Sequence, residues 1–381
     1  MFGRGIKLFK LFGFEVKVDA SWLILGVLIS WSLAMGWFPN LYKGLPMSSY
    51  WIMGVAGAIG LFFSIVFHEL CHSLVARRFG LKMSGITLFI FGGVSEMTDE
   101  PESPKVEFFM AASGPASSIV LGLGLIGLRI LAVGWGASVP ILGVIGYLGY
   151  INLILAGFNL LPAFPLDGGR VLRSILWGSK GDLRWATRAA AGIGEGFGVI
   201  LMVWGAVSAF GLIPRFGSTI GGIWMFLIGM FLRGAAQSSY RQLLVRRALE
   251  GEKVRKFMVA EPVTVSSSTT IEDVIANYIY KYHFKMYPVV DNGRLAGCIT
   301  LDQVKEIPPE ERVRRTVGDV AQGCSAENTV GPDEDVMKAL ALMARTSRSR
   351  LLVTESGRLA GVIALKDIMG FLAIKMDLEG R

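Results

Sequence analysis

The stretch His68-Glu69-Leu70-Cys71-His72 combines two imidazoles and a carboxylate at a spacing that suits metal chemistry. On a helix, residues four apart share a face, so both imidazoles can reach one metal ion, and Glu69 can reach a water on that ion. The chain has only three histidines, and two of them lie here. The apolar run Trp51–Val66 leads directly into the stretch, which places it in a predicted membrane helix. Charged groups at the centre of such a helix cost about 2.5–3.5 kcal/mol each, so they rarely occur there without a use.

The same spacing also arises by accident in ordinary proteins. In exposed helices of soluble proteins His-x-x-x-His is often only a polar face, and even His-Glu-x-x-His has many false positives. The apolar surroundings remove that explanation and leave a metal site, a proton path or a transport pore. Cys71 lies one residue from His72 and points to a different face, so we expect it to pack between helices.

A catalytic zinc site takes three protein ligands and leaves one position open for water. Asp167 is the best third candidate, within the sequence NLLPAFPLDGGR that begins at Asn159. Pro162 and Pro165 cannot continue a helix, so the apolar segment should unwind here, which at membrane depth requires surrounding protein or water. Taken alone, Asp-Gly-Gly is an ordinary turn signal. Glu195, in a glycine-rich apolar segment, is the rival ligand, although its glycines equally indicate a close helix interface.

Composition indicates a chain with an apolar half and a polar half. Hydrophobic residues make up 52% of the 381 residues and charged residues 18%, with charge sparse from 20 to 232 and ordinary from 233 to 381. A membrane-spanning helix needs about 20 apolar residues. The first apolar segment lacks a cleavage site and is not predicted to be a signal sequence. Six segments are predicted to span, the last short and interrupted by glycine: Ala20–Trp37, Tyr50–Val75, Phe108–Val133, Ile141–Leu161, Ala186–Leu212 and Thr219–Leu232.

Basic residues predict the orientation of these segments. Lys and Arg favour cytoplasmic loops, and here they cluster before the first segment, after the second, between the fourth and fifth, and after the sixth. Both termini and the polar half are therefore expected in the cytoplasm of a multi-pass cell-membrane protein. The net charge of +8 then reflects topology and attraction to the lipid bilayer rather than nucleic-acid binding. Three scattered cysteines predict no disulfide framework.

The motifs of the apolar half resemble those of the site-2 protease family of intramembrane zinc metalloproteases. The resemblance covers the whole apolar half and is specific in its two main motifs. Those motifs are His68-Glu69-x-x-His72 in one segment, and Asn159-x-x-Pro162 with Leu166-Asp167-Gly168 in a later one. Two looser features agree with them, Phe91-Gly92-Gly93 and Ser113-Gly114-Pro115.

The resemblance implies a role for each matching residue. Zinc would lower the pKa of its water to about 7 and polarise the scissile carbonyl, and a general base would pass the proton to the leaving amine. The substrate would be a membrane-spanning protein cut near the cytoplasmic face. Glu195 has no counterpart in the family pattern. The implied roles are binding of one Zn²⁺ per chain by His68, His72 and Asp167, general base for Glu69, and positioning of substrate or water by Asn159.

Two further features suit a peptide substrate. Residues 86–94 alternate enough to form an extended edge, where a substrate unwound from its own helix could pair as an added strand. Asn152 and Asn159 are seven residues apart on one helical face. That spacing indicates either a polar track towards the site or two hydrogen bonds between helices.

The polar half contains an internal repeat. Gly293–Leu301 recurs as Gly357–Leu365, an offset of 357 − 293, or 64 residues, and Tyr287–Asp291 aligns with Leu351–Glu355 at the same offset. Each copy reads helix, strand, glycine turn, strand, helix, a unit whose apolar face needs a neighbour to bury it. This pattern resembles a tandem pair of CBS modules, assigned here to residues 256–312 and 313–381.

CBS pairs commonly bind adenine nucleotides in clefts between the copies, which implies ATP, ADP or AMP as a ligand. The Ser/Thr-x-x-Asp usually found after the second strand is divided between the copies, since Thr300 is followed by Gln303 and Ala364 by Asp367. Thr300 and Asp367 are therefore the candidate nucleotide-binding residues. A purely structural or dimerising role, with a homodimer formed through the modules, is the alternative.

Together these features predict a polytopic α-helical membrane protein with about six transmembrane helices, followed by a soluble α/β tandem CBS domain. Residues 1–240 would form the transmembrane zinc metalloprotease domain and 241–255 a linker. The expected function is intramembrane zinc-dependent endopeptidase activity modulated by the CBS pair. The alternative is a CBS-gated transporter or channel in which Asp167 and Glu195 bind the cation. Glu69 favours the protease, because a zinc transporter needs no carboxylate beside its ligands.

Overall fold

The computed structural model describes residues 6–81, 83–89, 92–97, 101–211 and 219–379. Ile90 and Phe91, in the predicted edge segment, and Leu212, at the end of the fifth apolar segment, lie outside these described residues. The chain forms two compact units, Met1–Arg241 and Gln242–Arg381.

Apolar helices dominate the first unit. They are α1 (Ala20–Ser32), a π-helical turn (Leu33–Trp37), α2 (Phe38–Leu41), α3 (Met47–Arg78), α4 (Pro104–Gly134), α5 (Val139–Asn159), α6 (Asp167–Lys180), α7 (Leu183–Ala209) and α8 (Thr219–Leu249). Side chains cap several of their N-termini. Asp19 accepts a hydrogen bond from the Ser21 N–H ahead of α1, and Ser103 accepts one from Val106 N–H ahead of α4.

Five helical stretches among the described residues are long and apolar enough to cross a membrane, and they coincide with the first five predicted segments. These stretches are Ala20–Leu41, Met47–Arg78, Pro104–Gly134, Val139–Asn159 and Leu183–Ala209. The sixth predicted segment, Thr219–Leu232, opens α8, which is not among the five. Arg233 follows that segment directly, so the apolar part of α8 is too short to match the others.

The apolar part of α8 nevertheless packs closely along α7. A Cβ on Gly222 would lie 2.6 Å from the Gly205 carbonyl oxygen, and one on Gly229 would lie 2.6 Å from the Gly198 carbonyl oxygen. Because the residue number rises in α8 as it falls in α7, the two helices run antiparallel. Small residues at such a seam let backbones approach closely, as is typical of membrane helices.

A four-stranded sheet lies against α3. Its strands are β1 (Ile6–Leu11), β2 (Phe14–Val18), β3 (Met83–Phe89) and β4 (Gly92–Met97), in the order β1-β2-β3-β4. Strands β2 and β3 are parallel, and the other two pairs are antiparallel. Phe14, Val16 and Ile86 from the sheet are buried against Phe62 and Val66 of α3. Among the described residues of the predicted edge segment, β3 is paired on both sides and β4 lies at an edge of the sheet.

The second unit contains two copies of one motif. Its elements are α9 (Ile271–Asp273), a π-helical turn (Val274–Ile279), α10 (Tyr280–Tyr282), β5 (Met286–Asp291), β6 (Arg294–Thr300), α11 (Leu301–Lys305), α12 (Val317–Val320), β7 (Gln322–Gly323), β8 (Thr329–Val330), α13 (Val336–Thr346), β9 (Arg350–Glu355), β10 (Arg358–Ala364) and α14 (Leu365–Glu379). Strand β9 begins 350 − 286, or 64, residues after β5, as the repeat predicts. The glycine turns also match, since Gly293 and Gly357 have φ values of +75° and +76°.

Each copy has a buried core of its own. Val265, Ile271 and Tyr287 are buried in the first, and Val336 and Leu351 in the second. The residues predicted as a linker, 241–255, are not a free connection. Their first part belongs to α8, and Ala248, Leu249 and Val254 are buried in the core of the second copy.

Candidate metal centre

Three side chains from two helices converge at one point. His68 and His72 lie one turn apart on α3 and are both buried, and Asp167 is the first residue of α6. Asp167 Oδ2 lies 3.0 Å from His68 Nε2 and 3.1 Å from His72 Nε2, and the two Nε2 atoms are 3.2 Å apart. Ligands held tetrahedrally at about 2.0–2.1 Å from zinc are about 3.3 Å from one another, so one ion can contact all three atoms. Within the described parts of the chain, no other set of three such side chains is close enough to hold a metal.

The broken helix expected from the two prolines brings Asp167 to this point. Helix α5 ends at Asn159, residues 160–166 are not helical, and α6 begins at Asp167. Helix α7 backs this non-helical stretch, because a Cβ on Gly194 would collide with the Phe164 carbonyl oxygen. Ala163 and Phe164 are buried, so protein covers this central part of the non-helical backbone, as irregular backbone at membrane depth requires.

Both histidines are oriented through their second ring nitrogen. His72 Nδ1 donates to the Met110 carbonyl oxygen at 2.7 Å, and since a carbonyl only accepts, the neutral ring keeps its lone pair on Nε2. His68 Nδ1 is hydrogen-bonded to Ser118 Oγ at 2.9 Å. Met110 and Ser118 both lie on α4 and are buried. Partners of this kind are typical of metal-binding histidines, because they fix the ring orientation and present the free nitrogen to the ion.

Gly114 leaves room for the convergence. A Cβ at this position on α4 would lie 2.7 Å from His68 Nε2 and still closer to His72 Nε2. The backbone of α4 therefore approaches the two Nε2 atoms so closely that only glycine, which has no Cβ, fits at position 114. The donor types, their spacing and this cradle together fit a zinc ion.

The carboxylate of Glu69 lies beside the sheet that packs on α3. It is half-buried, and a Cβ on Gly93 of β4 would lie 2.9 Å from its Oε1 atom. The carboxylate is therefore adjacent to the edge strand.

The two asparagines of α5 make different contacts. Asn152 is buried, and its Nδ2 donates to Ser64 Oγ on α3 at 2.9 Å. For Asn152, a hydrogen bond between helices is therefore the correct one of the two alternatives. Asn159 is half-buried, and its Nδ2 donates within its own helix to the Leu155 carbonyl oxygen at 3.0 Å.

Glu195, the rival third ligand, makes its contacts elsewhere. Its Oε1 accepts a hydrogen bond from Gln237 Nε2 at 2.5 Å and lies 3.4 Å from Arg233 Nε. Both partners belong to α8, so this carboxylate joins α7 to α8 as the helix-interface alternative supposes. It does not belong to the convergent set formed by His68, His72 and Asp167.

Sequence reasoning missed a buried ion pair that connects the helices of the centre. Glu107 of α4 is completely buried, and Arg173 of α6 donates to its Oε1 through Nε at 2.7 Å and also through Nη2. The guanidinium also lies 5.0 Å from the ring centroid of Phe164. The only available signal was a single acidic residue at the start of an apolar segment. The hydrogen-bond partners of the histidines had no signal of this kind in the sequence, because any residue has a backbone carbonyl such as that of Met110.

The two candidate nucleotide-binding residues have different surroundings. Thr300 caps α11 in a reciprocal capping box, in which its hydroxyl and backbone N–H both bond to Gln303. Asp367 is half-buried in the first turn of α14. A cavity of about 520 Å³ in the second copy is lined by other residues, among them Thr329, Glu334 and Thr354.

The sequence and the structure are similar to those of known proteins. The model of peptidase family M50 matches residues 56–139 and 135–204, and the CBS domain model matches 254–310 and 317–374. The protein named zinc metalloprotease Rip3 of Mycobacterium tuberculosis is 34% identical over 365 residues, covering 95% of this chain and 91% of that one. The zinc metalloprotease sll0528 of Synechocystis sp. is 34% identical over 373 residues, covering 96% and 95%. A solved site-2 protease of Methanocaldococcus jannaschii is 29% identical and covers 62% of this chain and 96% of that chain, with a TM-score of 0.42.

The two relatives extend over almost the whole chain, through the apolar half and the repeat alike. The predicted enzyme class is therefore confirmed, and the transporter or channel alternative is set aside. The chain belongs to peptidase family M50, the site-2 protease family of zinc metalloproteases, and carries a tandem pair of CBS domains.

Proposed function

We propose that this enzyme is an intramembrane endopeptidase that cuts membrane-spanning proteins near the cytoplasmic face, with its activity modulated by the CBS pair. The observation that carries the proposal is the convergence of His68 Nε2, His72 Nε2 and Asp167 Oδ2 within 3.2 Å of one another. Asp167 reaches this point from the first turn of α6, directly after the non-helical residues 160–166.

We assign one zinc ion to His68, His72 and Asp167. When bound, zinc activates a water molecule and polarises a carbonyl group. Glu69 takes the proton of the attacking water and delivers it to the leaving amine. The burial of both histidines keeps bulk water away from the reacting groups, which strengthens every electrostatic interaction among them.

Strand β4 supports an extended substrate. A peptide bond in an intact helix is shielded by its own hydrogen bonds, so the substrate has to unwind before cleavage. A chain added beside β4 would find strand hydrogen bonds and would pass close to Glu69, whose carboxylate contacts β4 at Gly93. Asn159 would position the substrate or the water. Within the described residues its Oδ1 accepts no hydrogen bond, which leaves that atom available.

The proposed topology has both termini and the CBS pair in the cytoplasm of a multi-pass cell-membrane protein. The basic residues flanking the apolar helices support it. Antiparallel packing of α8 on α7 supports a sixth crossing by the first part of α8. The proposed domains are residues 1–240 for the protease and 256–312 and 313–381 for the CBS modules, joined through 241–255.

For the CBS pair we propose an adenine nucleotide, ATP, ADP or AMP, as the regulatory ligand. Asp367 is the stronger of the two candidate contacts, because the polar atoms of Thr300 are already bonded to Gln303. A homodimer formed through the modules is compatible with this role.

The protease proposal is tested by measuring zinc content and cleavage of single-span substrates with purified full-length protein in proteoliposomes. Glu69→Gln should keep its zinc and lose cleavage by about 10²-fold or more, since general base catalysis contributes that much. Asp167→Asn should lose both zinc and cleavage. The matched carboxylate variant Glu195→Gln should keep both, because Glu195 contacts α8.

Either of two results would refute these assignments. One is undiminished cleavage by Glu69→Gln, and the other is full zinc content in Asp167→Asn. In the same assay, proline substitutions at alternate residues of Gly92–Met97 should reduce cleavage without lowering zinc content, because proline lacks the N–H that pairs with a strand.

A further inference from the structure

The first CBS module carries an exposed run in which aromatic and basic side chains alternate. This aromatic–basic segment is Tyr280-Lys281-Tyr282-His283-Phe284-Lys285, and all its residues are exposed. Tyr280 is 70% exposed and Phe284 is 39% exposed. No acidic residue occurs from 274 to 290. Single exposed aromatic residues are ordinary, whereas a continuous run of this kind marks an interaction site.

The second CBS module shows that the fold does not require these rings. At the 64-residue offset its equivalent segment is Ala344-Arg345-Thr346-Ser347-Arg348-Ser349. Both segments turn through a left-handed residue, with φ values of 59° at His283 and 54° at Ser347. Each segment is then followed by a strand, β5 in the first copy and β9 in the second, at the same offset. Because small and polar residues make the same turn in the second copy, the aromatic rings of the first copy serve another purpose.

Hydrogen bonds to the buried side chain of Tyr287 fix the conformation of the aromatic–basic segment. Tyr287 is 2% exposed, its hydroxyl donates to the Tyr278 carbonyl oxygen at 2.9 Å, and it accepts from the Phe284 N–H at 3.2 Å. The rings of Tyr282 and Phe284 stack at 6.1 Å with an angle of 16° between their planes. In the second copy Leu351 occupies the position of Tyr287 and offers no hydroxyl. The segment therefore presents an ordered surface.

The lysines of this segment carry charge that no ion pair among the described residues neutralises. Across the described residues neither Lys281 nor Lys285 forms an ion pair, and Lys281 Nζ lies 5.3 Å from the ring centroid of Tyr282. Of the carboxylates close to the segment in the sequence, Asp273 accepts a hydrogen bond from the Thr270 hydroxyl at 2.8 Å, and Asp302 lies 3.4 Å from Lys305. An external anionic surface is the natural complement of this charge.

We propose that the aromatic–basic segment binds the surface of an anionic lipid bilayer and so docks the first CBS module on the membrane that anchors the same chain. Tyrosine and phenylalanine rings favour the headgroup region, and lysines are attracted to anionic lipids. The apolar helices of the first unit tether the segment near a bilayer, which raises its effective concentration there.

A second copy of this chain is a poorer partner, because a symmetric contact would bring like charges together. A nucleic acid has the charge but lacks the tether. The proposal is independent of the catalytic assignment above.

The test uses the full-length protein in nanodiscs of phosphatidylcholine alone or with phosphatidylglycerol. A photoreactive residue replaces one side chain at a time, as Tyr280→p-benzoylphenylalanine or, at the equivalent position of the second module, Ala344→p-benzoylphenylalanine. Irradiation followed by mass spectrometry should show lipid adducts at position 280 several-fold above those at position 344. The adducts should require phosphatidylglycerol and should decrease as salt rises, because screening weakens the attraction.

Charge variants separate this segment from the general basicity of the chain. In the Tyr280→p-benzoylphenylalanine background, Lys281→Glu with Lys285→Glu should remove the lipid adduct. Lys338→Glu with Arg345→Glu, which changes the net charge equally on exposed residues of the second module, should leave it intact. Adducts between two protein chains would assign the surface to a second copy. Loss of the lipid adduct on adding an oligonucleotide would assign it to nucleic acid. Either result, or equal adducts at both positions whatever the lipid charge, would overturn the proposal.

Discussion

His72 is held in one tautomer because its Nδ1 donates to the Met110 carbonyl, and this hydrogen bond is what presents Nε2 to the metal centre. Residue types and spacing were enough to predict His68, Glu69 and His72, since a helix places positions four apart on one face. Asp167 needed the additional inference of a broken helix. The partners of the imidazoles could not be predicted, because they lie on α4 and one of them is a backbone atom.

Gly114 gives a prediction at this scale. Gly114→Ala should sharply lower zinc content and cleavage, because its Cβ would lie 2.7 Å from His68 Nε2 and closer to His72 Nε2. Gly124→Ala on the same helix is the matched control, since no atom lies within 4 Å of its Cβ position. Alanine favours a helix over glycine by about 1 kcal/mol in both variants, so only the contact with the ligands differs. Metal analysis and cleavage by the purified variants measure the effect, and a Gly114→Ala enzyme with normal zinc would contradict it.

At the level of elements, local signals in the sequence were reliable and long-range pairing was not. The prolines predicted the end of α5 and the unwound stretch before Asp167. The extended character of the residues that form β3 and β4 was also recognised. The pairing of β3 with β2 was not, because α1, α2 and α3 all lie between these two strands in the sequence. This pairing is stabilised because α3 and the sheet bury each other's apolar side chains. A local sequence pattern does not show which distant strand a strand will pair with.

The orientation of α6 depends on the buried pair of Glu107 and Arg173, which links this helix to α4. Glu107→Gln should therefore lower the free energy of unfolding by about 3–5 kcal/mol, because it leaves the Arg173 charge buried without its partner. Glu102→Gln makes the same chemical change at an exposed residue just before α4 and should have little effect. Thermal unfolding of the full-length protein in detergent, followed with its zinc content, measures both. Equal unfolding temperatures for the two variants would show that the pair does not stabilise the contact of α4 with α6.

For the whole molecule, the sequence predicted two halves and a repeat, because the offset of 64 residues is visible without any structure. The connection between them was harder to predict. Its arginines are typical of an exposed linker, yet α8 continues to Leu249 and contributes Leu249 to the core of the second CBS module. Residues 241–255 contain several arginine and lysine side chains, so their composition alone resembles that of a linker. Most residues that share this core with Leu249 lie between Val330 and Leu372, from 330 − 249, or 81, to 372 − 249, or 123, positions further along the chain.

The two CBS modules present different residues at the proposed nucleotide contacts, Thr300 in the first and Asp367 in the second, so the proposal predicts an asymmetric regulatory site. Asp367→Asn should weaken ATP binding by about tenfold or more, because a hydrogen bond to a charged group contributes about 1.5–3 kcal/mol. Thr300→Val should leave the affinity unchanged and instead cost about 1 kcal/mol of stability, since its hydroxyl caps α11. Asp302→Asn, an exposed carboxylate of the first module, is the control and should change neither quantity. Calorimetric titration of the full-length protein with ATP, combined with thermal unfolding, separates the two effects. Weaker binding by Thr300→Val with normal binding by Asp367→Asn would show that the first module, despite its Gln303, provides the nucleotide contact.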